Sequence, residues 1–206
     1  MIEKICNSIL IKMRKKMPDI TDEKAEIILY GLQLLIGEMP KMFLLFGLSF
    51  LLGIGWYMVF AYIAVVPYKA VSGGFHLHSH LGCIVSTIAF FYGNILISKF
   101  LVLDNIQKYI LIGLSLIFGI LMISMYAPAD TEEVPIISKK ERKTKKILSY
   151  VMLTLTLVVA LFVPDKMMSN ILIIGSIFQS ISISRLAYKI TKNKYGHEVY
   201  EKQLEN

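Results

Sequence analysis

Gly73-Gly74-Phe75-His76-Leu77-His78-Ser79-His80-Leu81-Gly82-Cys83 runs directly into Ile84-Val85-Ser86-Thr87-Ile88-Ala89-Phe90-Phe91. The second half of this stretch decides the fold class. A surface helix of a soluble protein carries a polar stripe opposite its apolar face, and Ile84 to Phe91 has no such stripe. Similar apolar blocks occupy Met42 to Gly53 and Ile147 to Val163, and several approach the roughly 20 residues that span a bilayer as a helix. Hydrophobic residues make up 55% of the 206-residue chain. Mean hydropathy is +0.61, above that of ordinary soluble domains. The sequence predicts an all-α integral membrane protein, a single polytopic domain over residues 1–206.

The apolar blocks order the chain. Residues 1–17 read as an amphipathic helix for a membrane surface. Ile2, Ile5, Ile9 and Met13 recur at helical spacing among Lys4, Lys12, Arg14, Lys15 and Lys16. Pro18 ends it. Thr21 then suits an N-cap, with Asp22 and Glu23 where the helix dipole favours negative charge. The next helix is apolar from Ile27 to Ile36, and Glu38, Pro40 and Lys41 are expected to interrupt it, so residues 1–40 form an interfacial N-terminal region. A transmembrane bundle of about six helices follows over 42–188, with spans near 42–54, 56–70, 82–102, 107–126, 147–163 and 168–188. Residues 189–206 are a charged tail. Met1 to Pro18 mixes Lys and Arg into its apolar positions, so no cleavable signal peptide is expected.

The distribution of charge orients the bundle. The formal charge is +7, and in a membrane protein its placement matters more than its sum, so no nucleic-acid partner is expected. Lys and Arg concentrate in the N-terminal arm, in the run Lys139 to Lys146, and in the tail at Lys189, Lys192 and Lys194. The positive-inside rule puts all three in the cytoplasm. Both termini are then cytoplasmic, and the stretch 69–83 faces the same side.

That stretch holds His76, His78 and His80, three of the four histidines, and Cys83, one of two cysteines. Two cysteines make no disulfide framework, so both are read as thiols. An imidazole that takes the proton of a thiol makes it a strong nucleophile. On a regular helix His80 is best placed for Cys83, since residues three apart share a face. His76 lies two turns back, about 10 Å along the axis, and reaches Cys83 only if the backbone bends. Gly73-Gly74 permit such a bend, and Gly82 can open the helix start so that the thiol gains from the helix dipole. Two other readings stay open. Cys83 can be a small buried residue with the histidines as interfacial polar groups, or the histidines and Cys83 can ligate zinc or copper in a small metal or solute carrier.

Lys69 is the only basic residue between Trp56 and Lys99. It suits either a lysine snorkelling at a helix end or an anchor for an acidic partner. The prolines of Tyr126-Ala127-Pro128-Ala129-Asp130-Thr131-Glu132-Glu133-Val134-Pro135-Ile136 mark a structured loop, and the basic run follows it. Its carboxylates, beside Lys139 and Lys140, can orient a histidine or grip a charged peptide. The bland reading is a linker whose lysines serve topology.

With Gly74-Phe75-His76, Cys83 seven residues on, a basic residue ahead of the glycines, and the Ala127-Pro128-Ala129-Asp130 and Pro135-Ile136 loop, the chain resembles the accessory gene regulator B (AgrB) family. These are membrane endopeptidases of Gram-positive quorum sensing. Length, basic arm and hydropathy agree over nearly the whole chain. The resemblance implies a bacterial cell-membrane enzyme that processes a small precursor pheromone peptide (AgrD-like). Cys83 is the nucleophile and His76 the general base and acid. A thioester forms as the acidic C-terminal tail leaves, and a Cys or Ser of the precursor closes a thiolactone or lactone ring. Lys69, Gly73, Gly74, Asp130, Lys139 and Lys140 are the expected substrate-binding residues. Lys69 stands where the family often has Arg, and Lys makes no bidentate carboxylate contact. The resemblance thus prefers His76 where helical spacing prefers His80, and it requires the chain between Gly73 and Gly82 to depart from a continuous helix. No metal or other cofactor is expected. A homodimer and membrane lipid are the expected partners beside the precursor, and backbone N–H groups near Cys83 are the default oxyanion stabilisers.

Overall fold

The computed structural model describes residues 2–17, 20–77, 79–132 and 134–205. Pro18, His78 and Glu133, named above, lie outside them, as does the His80 side chain. The described chain is all helical, with only isolated bridges between Gly73 and Ala129 and between Thr131 and Val134. It divides into two compact units, one up to Gly55 and one from Trp56 onward.

The first unit is a helix pair, α1 (Ile2–Lys16) and α2 (Asp22–Leu51). Thr21 caps α2 by accepting from the Lys24 N–H, and Arg14 ties the two helices together by pairing with Asp22 at 2.6 Å. The expected interruption at Pro40 is absent: α2 runs straight through it. Proline removes one helix hydrogen bond, and 30 residues of otherwise helical chain absorb that loss. The Glu38–Lys41 ion pair joins the turns on either side.

The second unit holds α3 (Gly55–Ser72), α4 (His80–Phe100), α5 (Asn105–Tyr126), α6 (Lys139–Phe162), α7 (Lys166–Ser182), α8 (Arg185–Ile190) and α9 (Gly196–Glu205). Local chemistry sets their starts. Asp104 and Gln107 form a reciprocal capping box on α5, and Ser79, Ser138, Asp165 and Ser184 cap α4, α6, α7 and α8. α6 starts well ahead of the apolar run expected to open it. Ser138 caps the basic segment, whose Lys, Arg and Glu favour helix, and Glu141 pairs with Lys145 one turn on at 3.0 Å. α7 ends short of 188, where Ser184 starts a new helix, and part of the charged tail is itself helical.

α7 is the axis of this unit, with α4, α5 and α6 packed around it. It is only 17 residues long, about 25 Å of helix against roughly 30 Å of hydrocarbon. Its length suits its burial among neighbours. Small and amide side chains let those neighbours approach closely and bond across. Asn170 donates to the Ser98 and Leu101 carbonyls, Asn94 donates to the Ile171 carbonyl, and Ser169 donates to the Ala160 carbonyl. Leu153, Leu157, Ala160, Leu172 and Ile173 fill the spaces between them.

Three described helices are long and apolar enough to cross a membrane: Leu81–Phe100, Asn105–Tyr126 and Lys139–Phe162. Their outward faces are apolar too. On α5, Ile106, Ile110, Leu114, Ile117 and Leu121 are exposed along one face, while Ile112, Ser115, Gly119 and Ile123 turn inward. A monomer in water rarely exposes apolar surface on this scale; lipid removes the cost.

Candidate active site

One end of the second unit gathers the chain segments that the sequence singled out. α3 stops at Ser72, and Gly73 (φ 76°) and Gly74 (φ 140°) turn the backbone out of the helix. Residues 74–77 have no regular secondary structure, and α4 begins only at His80, capped by Ser79. The chain between Gly73 and Gly82 is therefore not one straight helix. His76 lies exposed in this non-helical segment, and Cys83 lies in the first turn of α4, partly buried. The Cys83 N–H donates to the Ser79 carbonyl, and its own carbonyl accepts from Ser86 and Thr87.

Both glycines are required where they stand. The Ala129 N–H donates to Ser72 O at 2.8 Å and the Gly74 N–H donates to Ala129 O at 2.9 Å, a short parallel pairing between the break and the 127–137 loop. A Cβ on Gly73 would come within 2.1 Å of Ala129 O, and one on Gly74 within 2.9 Å of Ser182 Oγ. Gln179 of α7 locks the corner. Its Nε2 donates to Gly73 O at 2.7 Å and to Ser72 Oγ at 2.9 Å.

The facing loop is held from behind. The Asp130 side chain is fully buried. Its carboxylate accepts from the backbone N–H groups of Ile136 and His197 at 2.9 Å and meets His197 Nδ1 at 2.7 Å, with Arg142 Nη1 at 3.5 Å. Arg142 Nη2 lies 3.3 Å from His197 Nε2. A buried carboxylate needs this degree of satisfaction. The histidine that Asp130 orients is thus His197 of the C-terminal segment. Tyr188 adds a hydroxyl donor to the carbonyls of Ala129 and Asp130, and its ring stacks on Tyr195 at 4.2 Å. Burial pushes both tyrosine hydroxyls well above their ordinary range, so they remain protonated donors.

The remaining expected site residues surround this core. Lys69, in the last turn of α3, places its ammonium 6.0 Å from the Phe90 ring centre on α4. Lys139 and Lys140 are exposed in the first turn of α6, where the dipole disfavours cations. Gly73, Gly74 and Asp130 belong to the paired loops. The sequence alone does not single out Gln179, Tyr188, Asn193, Tyr195 or His197. Gln179 carried a faint signal, an amide inside the apolar run Ile171 to Ile183, where a buried polar group needs a partner. Tyr188, Asn193, Tyr195 and His197 carried none, because a charged segment after the last apolar block reads as solvated.

Among the described residues no three His, Cys, Asp or Glu side chains form a metal-binding group. No solved structure matches the chain. The accessory gene regulator B family model matches residues 6–183. An AgrB-like protein of Listeria welshimeri is 31% identical over 175 residues, covering 84% of this chain and 83% of its own. An AgrB-like protein of Clostridium acetobutylicum is 26% identical over 196 residues, covering 94% and 90%. Accessory gene regulator protein B of Staphylococcus epidermidis is 27% identical over 154 residues, covering 74% and 76%. With the glycine break, His76 and Cys83 all inside the matched residues, the chain belongs to the accessory gene regulator B family.

Proposed function

We propose that this protein is a membrane-embedded cysteine endopeptidase that removes the C-terminal tail of a precursor pheromone peptide and promotes its cyclisation for quorum sensing. The observation that carries the reading is the break at Gly73-Gly74. It takes His76 off the α3 axis and starts a new helix whose first turn holds Cys83, so the two residues no longer have to sit two turns apart on one rod. His76 accepts the thiol proton, and the sulfur attacks the carbonyl carbon upstream of the tail. Backbone N–H groups of His80 and Leu81, at the open end of α4, stabilise the oxyanion, since the first N–H groups of a helix lack intrahelical partners. The Gly82 and Cys83 N–H groups are taken by Ser79. As the intermediate collapses, His76 returns the proton to the leaving amine and a thioester remains on Cys83. A Cys or Ser within the precursor then attacks the thioester, closes the ring and frees the thiol.

The basic end of the unit suits an acidic tail. Lys69, Lys139 and Lys140 are the proposed anchors. Gly73 and Gly74 shape the approach to them, and Asp130 holds the loop that carries it. Six spans are proposed, with α2, α3 and α7 joining the three long apolar helices. The site end carries the runs Lys139 to Lys146 and Lys189 to Lys194, so it is assigned to the cytoplasm, with both termini there. The proposed enzyme is a homodimer in the bacterial cell membrane. A metal or solute carrier built on His76, His78 and His80 is not favoured by the family.

The decisive experiment is co-expression with a candidate precursor peptide, followed by mass spectrometry of the protein. The expected result is a covalent precursor adduct on Cys83 that is absent from Cys83→Ala. Tail removal undiminished in Cys83→Ala would overturn the proposal.

A further inference from the structure

Asn193 reaches across from the C-terminal segment to the residue proposed as general base. Its Nδ2 donates to the His76 backbone carbonyl at 2.8 Å, spanning 117 positions of sequence. The same amide bonds the Thr191 carbonyl at 3.2 Å and Thr191 Oγ1 at 3.0 Å, and the Asn193 N–H donates to Tyr188 O. Lys192, immediately before it, sits at φ 58°, the only left-handed residue other than glycine among those described. Such a conformation costs about 1 kcal/mol or more and persists where its surroundings demand it. Those surroundings are densely bonded. Thr191 Oγ1 donates to the Ala187 carbonyl, Tyr195 stacks on Tyr188 and donates to the Ile183 carbonyl, and Gly196 is pressed against Thr131 O. Next to His76 the Phe75 N–H donates to Ser182 O at 3.4 Å, and the Gly74 N–H donates to Ala129 O at 2.9 Å. The family model ends at residue 183, ten positions before Asn193.

We propose that Asn193 is a positioning residue that fixes the backbone of His76 so that its imidazole serves Cys83, making the segment 185–199 part of the catalytic end. This rests on the assignment of His76 and Cys83 above. A proton-accepting group must be held to within roughly 0.5 Å of its productive place, and the Asn193 bond fixes the His76 carbonyl within the non-helical segment between α3 and α4. Loss of the tether lowers the reactivity of the thiol at neutral pH without unfolding the bundle, because the α4–α7 core does not use Asn193.

The test uses full-length protein carrying Cys6→Ser, so that Cys83 is the one thiol, and iodoacetamide as the probe. The ratio of the alkylation rate at pH 7 to that at pH 9 is compared among the parent, His76→Ala, Asn193→Ala and the near-isosteric Asn193→Asp, which lacks the donor. Melting temperatures are recorded alongside. The expected result is a ratio at least tenfold lower in His76→Ala and in both Asn193 variants, with melting within a few degrees of the parent. If His76→Ala leaves the ratio unchanged, the His76–Cys83 assignment fails and this proposal falls with it. If His76→Ala lowers the ratio while Asn193→Asp matches the parent, the assignment stands and the role of Asn193 is refuted. A ratio in Asn193→Asp that drops only together with a loss of melting temperature also refutes it, in favour of plain stability.

Discussion

Gly73→Ala isolates the corner on which the site is built. Gly73 sits at φ 76°, where a Cβ costs about 1–2 kcal/mol. The added carbon would also lie 2.1 Å from the Ala129 carbonyl oxygen, with the Ala129 carbonyl carbon at 2.8 Å. Neither is the end of a flexible side chain, so the loop itself must move. Moving it breaks the Ala129–Ser72 and Gly74–Ala129 backbone bonds, each worth about 1 kcal/mol net. The total is about 3–4 kcal/mol against the paired arrangement, which lowers its population by a factor of about 100 or more. Ala129 sits at the edge of the buried core, while the packing of α4, α5 and α6 on α7 is left in place, so most of the cost falls on the site. Tail removal from a co-expressed precursor, followed by gel mobility, should drop about 100-fold while the detergent-solubilised protein still melts cooperatively. Gly113→Ala is the control. It lies in α5 with nothing within 4 Å of the added carbon, and should be neutral or stabilising by up to about 1 kcal/mol. Wild-type processing by Gly73→Ala at unchanged melting temperature would refute the claim that the Gly73–Ala129 pairing shapes the site.

Other substitutions probe the supports separately. Asp130→Asn should destabilise by about 3 kcal/mol, since it strips the charge from a buried carboxylate that holds Arg142 and His197, and a thermal melt reads this directly. Tyr188→Phe leaves the carbonyls of Ala129 and Asp130 without their hydroxyl donor and should cost about 1–3 kcal/mol; an unchanged melt would mean that water replaces it. Asn170→Ala removes the two bonds that tie α7 to the end of α4 and should lower the melting point by a similar amount with no selective effect on cleavage. His76→Ala should abolish tail removal and His80→Ala should not; the reverse pattern would hand the base to His80.

Much of the fold is legible from hydropathy, and the misses share a cause. Ile84 to Phe91 and Asn105 to Tyr126 show their character residue by residue, because lipid rewards an apolar surface on every side of a helix. Pro40 reads as a break, yet α2 continues, because one lost hydrogen bond is small beside a long helix. Lys139 to Lys146 reads as a polar linker, yet it is helix, because lysine and arginine are good helix formers whatever their hydropathy.

The sequence by itself pointed to the membrane class, permitted a helix break at Gly73-Gly74, and marked Cys83 with its neighbouring histidines as the reactive group to consider, while the choice of His76 over His80 came from the family resemblance. Those features are local: apolar runs, two adjacent glycines, and side chains with known chemistry. Only the tertiary structure decided what holds the break open. Gln179, Asp130, Tyr188, Asn193 and His197 come from three distant stretches and meet around one corner of backbone. Asp130 was marked by its loop and Gln179 faintly by its apolar run, but nothing in their own neighbourhoods marks Tyr188, Asn193 and His197, because a hydrogen bond across 117 positions is specified by how helices pack and not by what lies beside either partner.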